Sequence, residues 1–139
     1  MPYVNLKFVK EQVNKEQKKL LVDGVMDIIA DLMGRNRDLT VITIDELDPE
    51  NWIVGGKSLE ETQNNHGKVS YVNIKISKGT SNPVEMTSVI EAGKKLVQNV
   101  LGSNDLTNFF IIEELNPDGW GFDGISMTVR NELEKQLEN

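Results

Sequence analysis

The chain has 139 residues, 38% of them hydrophobic, no cysteine and a net charge of −7. The missing cysteine excludes disulfides, thiolate catalysis and zinc–thiolate sites, and 22 acidic against 15 basic residues repel nucleic acid and anionic membrane surfaces. No apolar run approaches the roughly 18 residues of a membrane span and no basic-then-apolar leader precedes the first strand, so a cytoplasmic protein is expected.

In chain order, residues 3–9 alternate apolar and polar and are rich in β-formers, which predicts a half-buried strand. Asn14 with Gln17 three residues later forms a helix-capping box. Leu21, Val25, Ile28 and Leu32 then recur at helical spacing, and Gly34 supplies a stop. The apolar run V41-I-T-I44 suits a strand covered on both faces. Glu46 and Asp48 stand at its end as solvated carboxylates. Residues 57–69 are polar, carry no period and read as a connection, with the lone His66 as a loop residue that cannot build a metal site alone.

After that connection the chain repeats itself. Tyr3, Val4, Asn5, Lys7 and Lys10 return 68 residues later as Tyr71, Val72, Asn73, Lys75 and Lys78. Both tryptophans, Trp52 and Trp120, share that offset, as do Pro49 and Pro117, Gly34 and Gly102, and Gly56 and Gly124. One ungapped offset linking strands, turns and rare aromatics indicates a tandem duplication. In the second copy Asn82-Pro83 opens a helix, proline being suited to its first position. Met86, Val89, Gly93, Leu96 and Val100 continue its apolar stripe to Gly102, and F109-F-I-I112 is the second apolar strand.

Strands of one copy joined by a long helix lie parallel as a right-handed βαβ unit. The expected fold is therefore α+β: two tandem βαβ units forming a four-stranded sheet with two helices on one face. The other face, taken as largely apolar, is expected to be buried against other subunits. The units run 1–59 and 70–126, with 60–69 as linker and 127–139 as a charged amphipathic helical tail, all within one compact domain.

No glycine-rich phosphate loop and no Ser-His-Asp arrangement is present. What remains is Pro2. Removal of Met1 would expose a secondary amine at the start of a central strand, and an α-amino group begins near pKa 7.7–8.0, within reach of general-base work at neutral pH. Burial or nearby cations lower that value and enlarge the neutral fraction. Its counterpart, Ser70, is internal; an amide nitrogen cannot take up that proton.

MPYVNLKF, a capped helix, an apolar strand and then ENWIVGG together resemble the 4-oxalocrotonate tautomerase family, over residues 2–59 and again, degenerately, over 70–126, in a fused tandem form. The resemblance implies that Pro2 is the catalytic proline, shuttling a proton between oxygen and carbon of an enol–keto pair. It implies that Trp52, with Trp120 at the same place in the second copy, is the active-site aromatic, and either can face Pro2. The family's two carboxylate-binding arginines fall near Gln12–Val13 and at Val41, and in the second copy at Thr80–Ser81 and Phe109, none of which is arginine. Arg35 and Arg37, in the loop before the second strand, and Lys10 are the cations available in their place.

The activity implied is that of a tautomerase-like isomerase acting on a small enol or keto acid, without metal or organic cofactor, as a homotrimer of six βαβ units. The alternatives are a related dehalogenase or hydratase, and a non-catalytic assembly or binding protein that kept the fold.

Overall fold

A computed structural model describes residues 1–102 and 108–138. The first copy contains β1 (Tyr3–Val9), α1 (Lys15–Asp31), β2 (Val41–Leu47) and a small hairpin of β3 (Ile53–Val54) and β4 (Lys57–Ser58). The second contains β5 (Ser70–Ser77), α2 (Pro83–Leu101), β6 (Phe109–Leu115) and the hairpin β7 (Gly121–Phe122) with β8 (Ile125–Ser126), followed by α3 (Met127–Glu138). The main sheet has the order β2-β1-β5-β6. Each copy pairs its own two strands in parallel, and the copies join along an antiparallel β1–β5 seam.

Local chemistry sets the helix ends. Asn14 accepts from the Gln17 amide while the Gln17 side chain accepts from the Asn14 amide, at 2.8 and 3.0 Å, so two otherwise orphaned donors are satisfied. The Asn82 side chain caps α2 by accepting from the Glu85 amide at 2.9 Å, with Pro83 at the first position, and Gly102 ends the helix in the left-handed conformation (φ 71°). α1 ends at Asp31, three residues before Gly34, and Gly34 at φ 65° turns the chain so that the Arg35 amide returns to the Ile29 carbonyl.

The core lies between the sheet and the helices. Val4, Leu6 and Phe8 of β1 and Val72, Ile74 and Ile76 of β5 are buried against Leu21, Val25 and Ile29 of α1 and Val89 and Val97 of α2. This is one face of a two-residue alternation meeting two helical stripes.

Two expectations are corrected. The apolar runs 41–44 and 109–112 form the edge strands of the sheet rather than covered ones, and Val41 and Phe109 are exposed. The face away from the helices is also not largely apolar. Alternation places Tyr3, Asn5 and Lys7 there, beside their register partners Val41, Thr43 and Asp45. Tyr3 and Thr43 share a hydrogen bond of 2.9 Å, and Lys7 reaches Asp45 at 2.9 Å. The second copy repeats the pattern with Asn73, Lys75 and Glu113. The short apolar runs hid a face whose outward positions are mostly polar.

The segment 57–69 also has more structure than its polarity suggested. Lys57 and Ser58 pair in β4, and Leu59 and Val69 are buried beneath Trp52 with Val9. The Gln12 side chain clasps the segment, donating to Asn64 Oδ1 and to the Gly67 carbonyl and accepting from the Val69 amide at 3.1 Å.

Candidate active site

Pro2 is fully buried at the start of β1, and its carbonyl accepts from the Val41 amide of β2 at 3.3 Å. Beside it lies a cavity of about 310 Å³. Met1, Pro2, Tyr3 and Val41 of the first copy form one side of it; Lys75, Leu115, Trp120, Gly121 and Phe122 of the second form the other. The antiparallel seam brings these together, because Tyr3 pairs with Lys75 across it.

Trp120 is therefore the tryptophan that faces Pro2 within one chain. Its Nε1 donates to Ser77 Oγ at 3.1 Å and its backbone carbonyl accepts from the Met127 amide at 2.9 Å, so both the indole and the main chain of the residue are anchored. Gly121 is required beside it: a Cβ there would lie 2.0 Å from the Ile125 carbonyl oxygen. Trp52 lines a different, shallower cavity of about 250 Å³ with Lys7, Leu47 and Tyr71, the counterpart of the first cavity under the 68-residue offset. The residue corresponding to Ser77 is Val9, which has no hydroxyl, and Trp52 packs on Val9, Leu59 and Val69 instead. At the place of Pro2 stands Ser70, buried and internal, its hydroxyl 2.9 Å from Asn108 Oδ1.

The cations separate. Arg37 is exposed and paired with Asp27 of α1, and Lys10 is exposed and paired with Asp48 at 3.2 Å. Neither lines the Pro2 cavity. Arg35 is half-buried, and its Nη2 donates to both the Thr80 carbonyl and Thr80 Oγ1, at 2.9 and 2.8 Å. Its Nε is buried without an acceptor. Burial holds the Arg35 pKa below its ordinary value, with Glu85 opposing. Glu46, like Asp48, is in an ion pair, with Lys18.

The amine at the chain start is held below its ordinary pKa, first by burial and then by the charge of Arg35, with Glu134 of α3 opposing. That amine belongs to Met1; Pro2 lies one residue deeper. Among the described residues no cluster of three or more His, Asp or Glu side chains is arranged to hold a metal ion, and no helix is long and apolar enough to cross a membrane.

Two residues around the site were not singled out in the sequence. Lys75 carries a signal, as the repeat of Lys7 on an alternating strand, but its approach to Pro2 needs the antiparallel pairing of the copies. Arg130 of α3 lies 3.7 Å from the Phe122 ring centre and donates to the Phe122 carbonyl at 3.1 Å, and nothing in the tail's charge pattern marks it.

The family model described as tautomerase enzyme matches residues 2–62. A sequence named "Probable tautomerase K2" from Dickeya dadantii is 44% identical over 61 residues, 44% of this chain and 91% of that one. The chain belongs to the tautomerase family. Its tandem form is shared with a fused 4-OT, described as a wild type symmetric trimer, at a TM-score of 0.78 and 16% identity over 92% of this chain and 98% of that one. A member of the cis-3-chloroacrylic acid dehalogenase family has the same fold, with a TM-score of 0.76 and 14% identity over 99% of this chain and 91% of that one.

Proposed function

We propose that the chain is a tautomerase in which the amine of Pro2, freed by removal of Met1, is the general base for enol–keto proton transfer on a small keto acid. The neutral amine takes the proton from the enol oxygen, becomes a secondary ammonium, and returns the proton to the neighbouring carbon as the carbonyl forms. The observation that carries this reading is the position of Pro2: fully buried against a mostly apolar cavity, directly behind the Met1 amine, which burial holds below its ordinary pKa, so that an amine exposed one residue deeper would meet the same desolvation. A base works best when its pKa lies near the operating pH, and desolvation moves an amine in that direction.

Trp120 supplies the aromatic wall that keeps the cavity apolar. Arg35 supplies positive charge near the amine, and its contact with Thr80 brings a guanidinium from another part of the chain to a corner where the family carries an arginine. Trp52, Arg37 and Lys10 have other engagements and take no part in this reading. The exposed apolar positions of the edge strands, Val41 and Phe109, and the trimeric state of the fused 4-OT support self-association as a homotrimer.

The test is the ketonisation of phenylenolpyruvate, followed by its ultraviolet absorbance, in wild type and Pro2→Ala, with intact mass recorded for both. Loss of at least 100-fold in kcat/KM in Pro2→Ala, with Met1 absent, is expected from typical contributions of a general base. Equal rates would remove Pro2 from the chemistry. Chloride released from a haloacrylate without tautomerase turnover would move the chain to dehalogenase chemistry.

A further inference from the structure

We infer that Lys75 receives the carboxylate of the substrate, so that the Pro2 cavity selects monocarboxylates with an apolar body; the inference rests on the reading of that cavity as the tautomerase site. Among the described residues Lys75 is the one charged side chain lining it, the rest of the lining being apolar apart from Tyr3. The β1–β5 register sets Lys75 opposite Tyr3, next to Pro2, while Asn73 on β5 and Glu113 on β6 place its ammonium.

The lysine is held but not saturated. Its ammonium donates to Asn73 Oδ1 at 2.6 Å and lies 3.4 Å from Glu113, which leaves one of three N–H groups for a ligand. Its counterpart, Lys7, is bound more closely to Asp45 at 2.9 Å and sits 6.0 Å from the Tyr71 ring centre. Between two copies of one motif, the looser ion pair is the one beside Pro2. Asn73 also donates to Glu113 at 3.2 Å, which anchors the carboxylate so that Lys75 keeps its place when a second anion arrives.

One lining cation accommodates one carboxylate. A second carboxylate at the far end of a substrate would lie against Trp120, Phe122 or Leu115 without a donor, and an unpaired anion in an apolar setting is strongly disfavoured. At about 310 Å³ the cavity is at the small end of ligand pockets and holds a body the size of a phenyl ring with a short chain.

The test is calorimetric titration of the processed full-length protein with cinnamate and with methyl cinnamate, which share an aryl body and differ in charge. Neither needs turnover, so this test can fail while Pro2 remains the base, and it can succeed even if Pro2→Ala keeps full activity. Lys75→Gln is expected to weaken cinnamate about 10- to 100-fold, as for loss of a hydrogen bond to a charged group, and to leave methyl cinnamate unchanged. Lys75→Arg is expected to restore cinnamate binding to within a few-fold of wild type. Unchanged cinnamate affinity in Lys75→Gln, or an equal loss for acid and ester, overturns the proposal.

Discussion

Replacing Arg130 with alanine tests whether α3 holds the wall of the Pro2 cavity. Its guanidinium stacks on Phe122, which lines that cavity, and donates to the Phe122 carbonyl at 3.1 Å. A hydrogen bond from a charged donor contributes about 1.5–3 kcal/mol, and a partly exposed cation–π contact about 0.5–1 kcal/mol. Against these stands the buried Nε without an acceptor, a cost of about 1–3 kcal/mol. The net loss expected for Arg130→Ala is about 1–2 kcal/mol, or a fall in Tm of about 3–7 °C for a chain of this size. Arg130→Met removes the unpaired Nε as alanine does but keeps an unbranched chain over the ring, so it should lose less than Arg130→Ala by the packing that chain retains. Thermal unfolding at a fixed protein concentration measures both, since assembly makes Tm concentration-dependent. Steady-state kinetics should show KM raised a few-fold in Arg130→Ala with kcat held, because Arg130 itself does not line the cavity. A wild-type Tm for Arg130→Ala, or an equal loss in Arg130→Met, refutes the reasoning.

Arg35→Met should shift the acid limb of the kcat/KM profile to higher pH, because the charge that lowers the Met1 amine would act in the same sense on the Pro2 amine once Met1 is removed, and that amine must be neutral to act. Burial is the larger cause and persists, so the limb moves only part of the way; a limb that stays put or moves down contradicts the assignment. Gly93→Ala places a Cβ 2.2 Å from the Phe110 ring and Gly24→Ala places one 2.3 Å from a Leu96 methyl. Phe110 presents a rigid ring packed on the core, whereas Leu96 presents the end of an aliphatic chain with more rotamers to choose from. With overpacking at about 1–3 kcal/mol and a helix gain of about 1 kcal/mol for alanine, Gly93→Ala should be the less stable variant in urea, and the reverse order would show that β6 yields more readily than Leu96.

The doubled architecture was legible because one ungapped offset carries tyrosines, tryptophans, prolines and glycines together, and the strand and helix starts followed from alternation and from Asn14 and Asn82. The apolar runs 41–44 and 109–112 misled because continuity was taken as cover on both faces, whereas the strands sit at sheet edges. Pro2 stood out in the sequence because removal of Met1 would expose a secondary amine there, which the internal Ser70 cannot match. The partner of Pro2 did not: choosing Trp120 over Trp52 depends on the antiparallel seam, and the same seam brings Lys75 to the cavity. Arg35 was reachable as a loop cation near the second strand, but its grip on Thr80 is a contact between copies that spacing does not encode.

Gln12 stands near one of the places where the resemblance to the 4-oxalocrotonate tautomerases would put an arginine, and its amide does what a guanidinium cannot. It accepts the N–H of Val69, a residue with no exposed surface, while donating to Asn64 and Gly67. Arginine has five donors and no acceptor, so at position 12 it would strand that buried amide at a cost of about 1–3 kcal/mol. Covalent tethering of the two halves and a guanidinium at this corner therefore compete for a single side chain. In this chain the tether holds it.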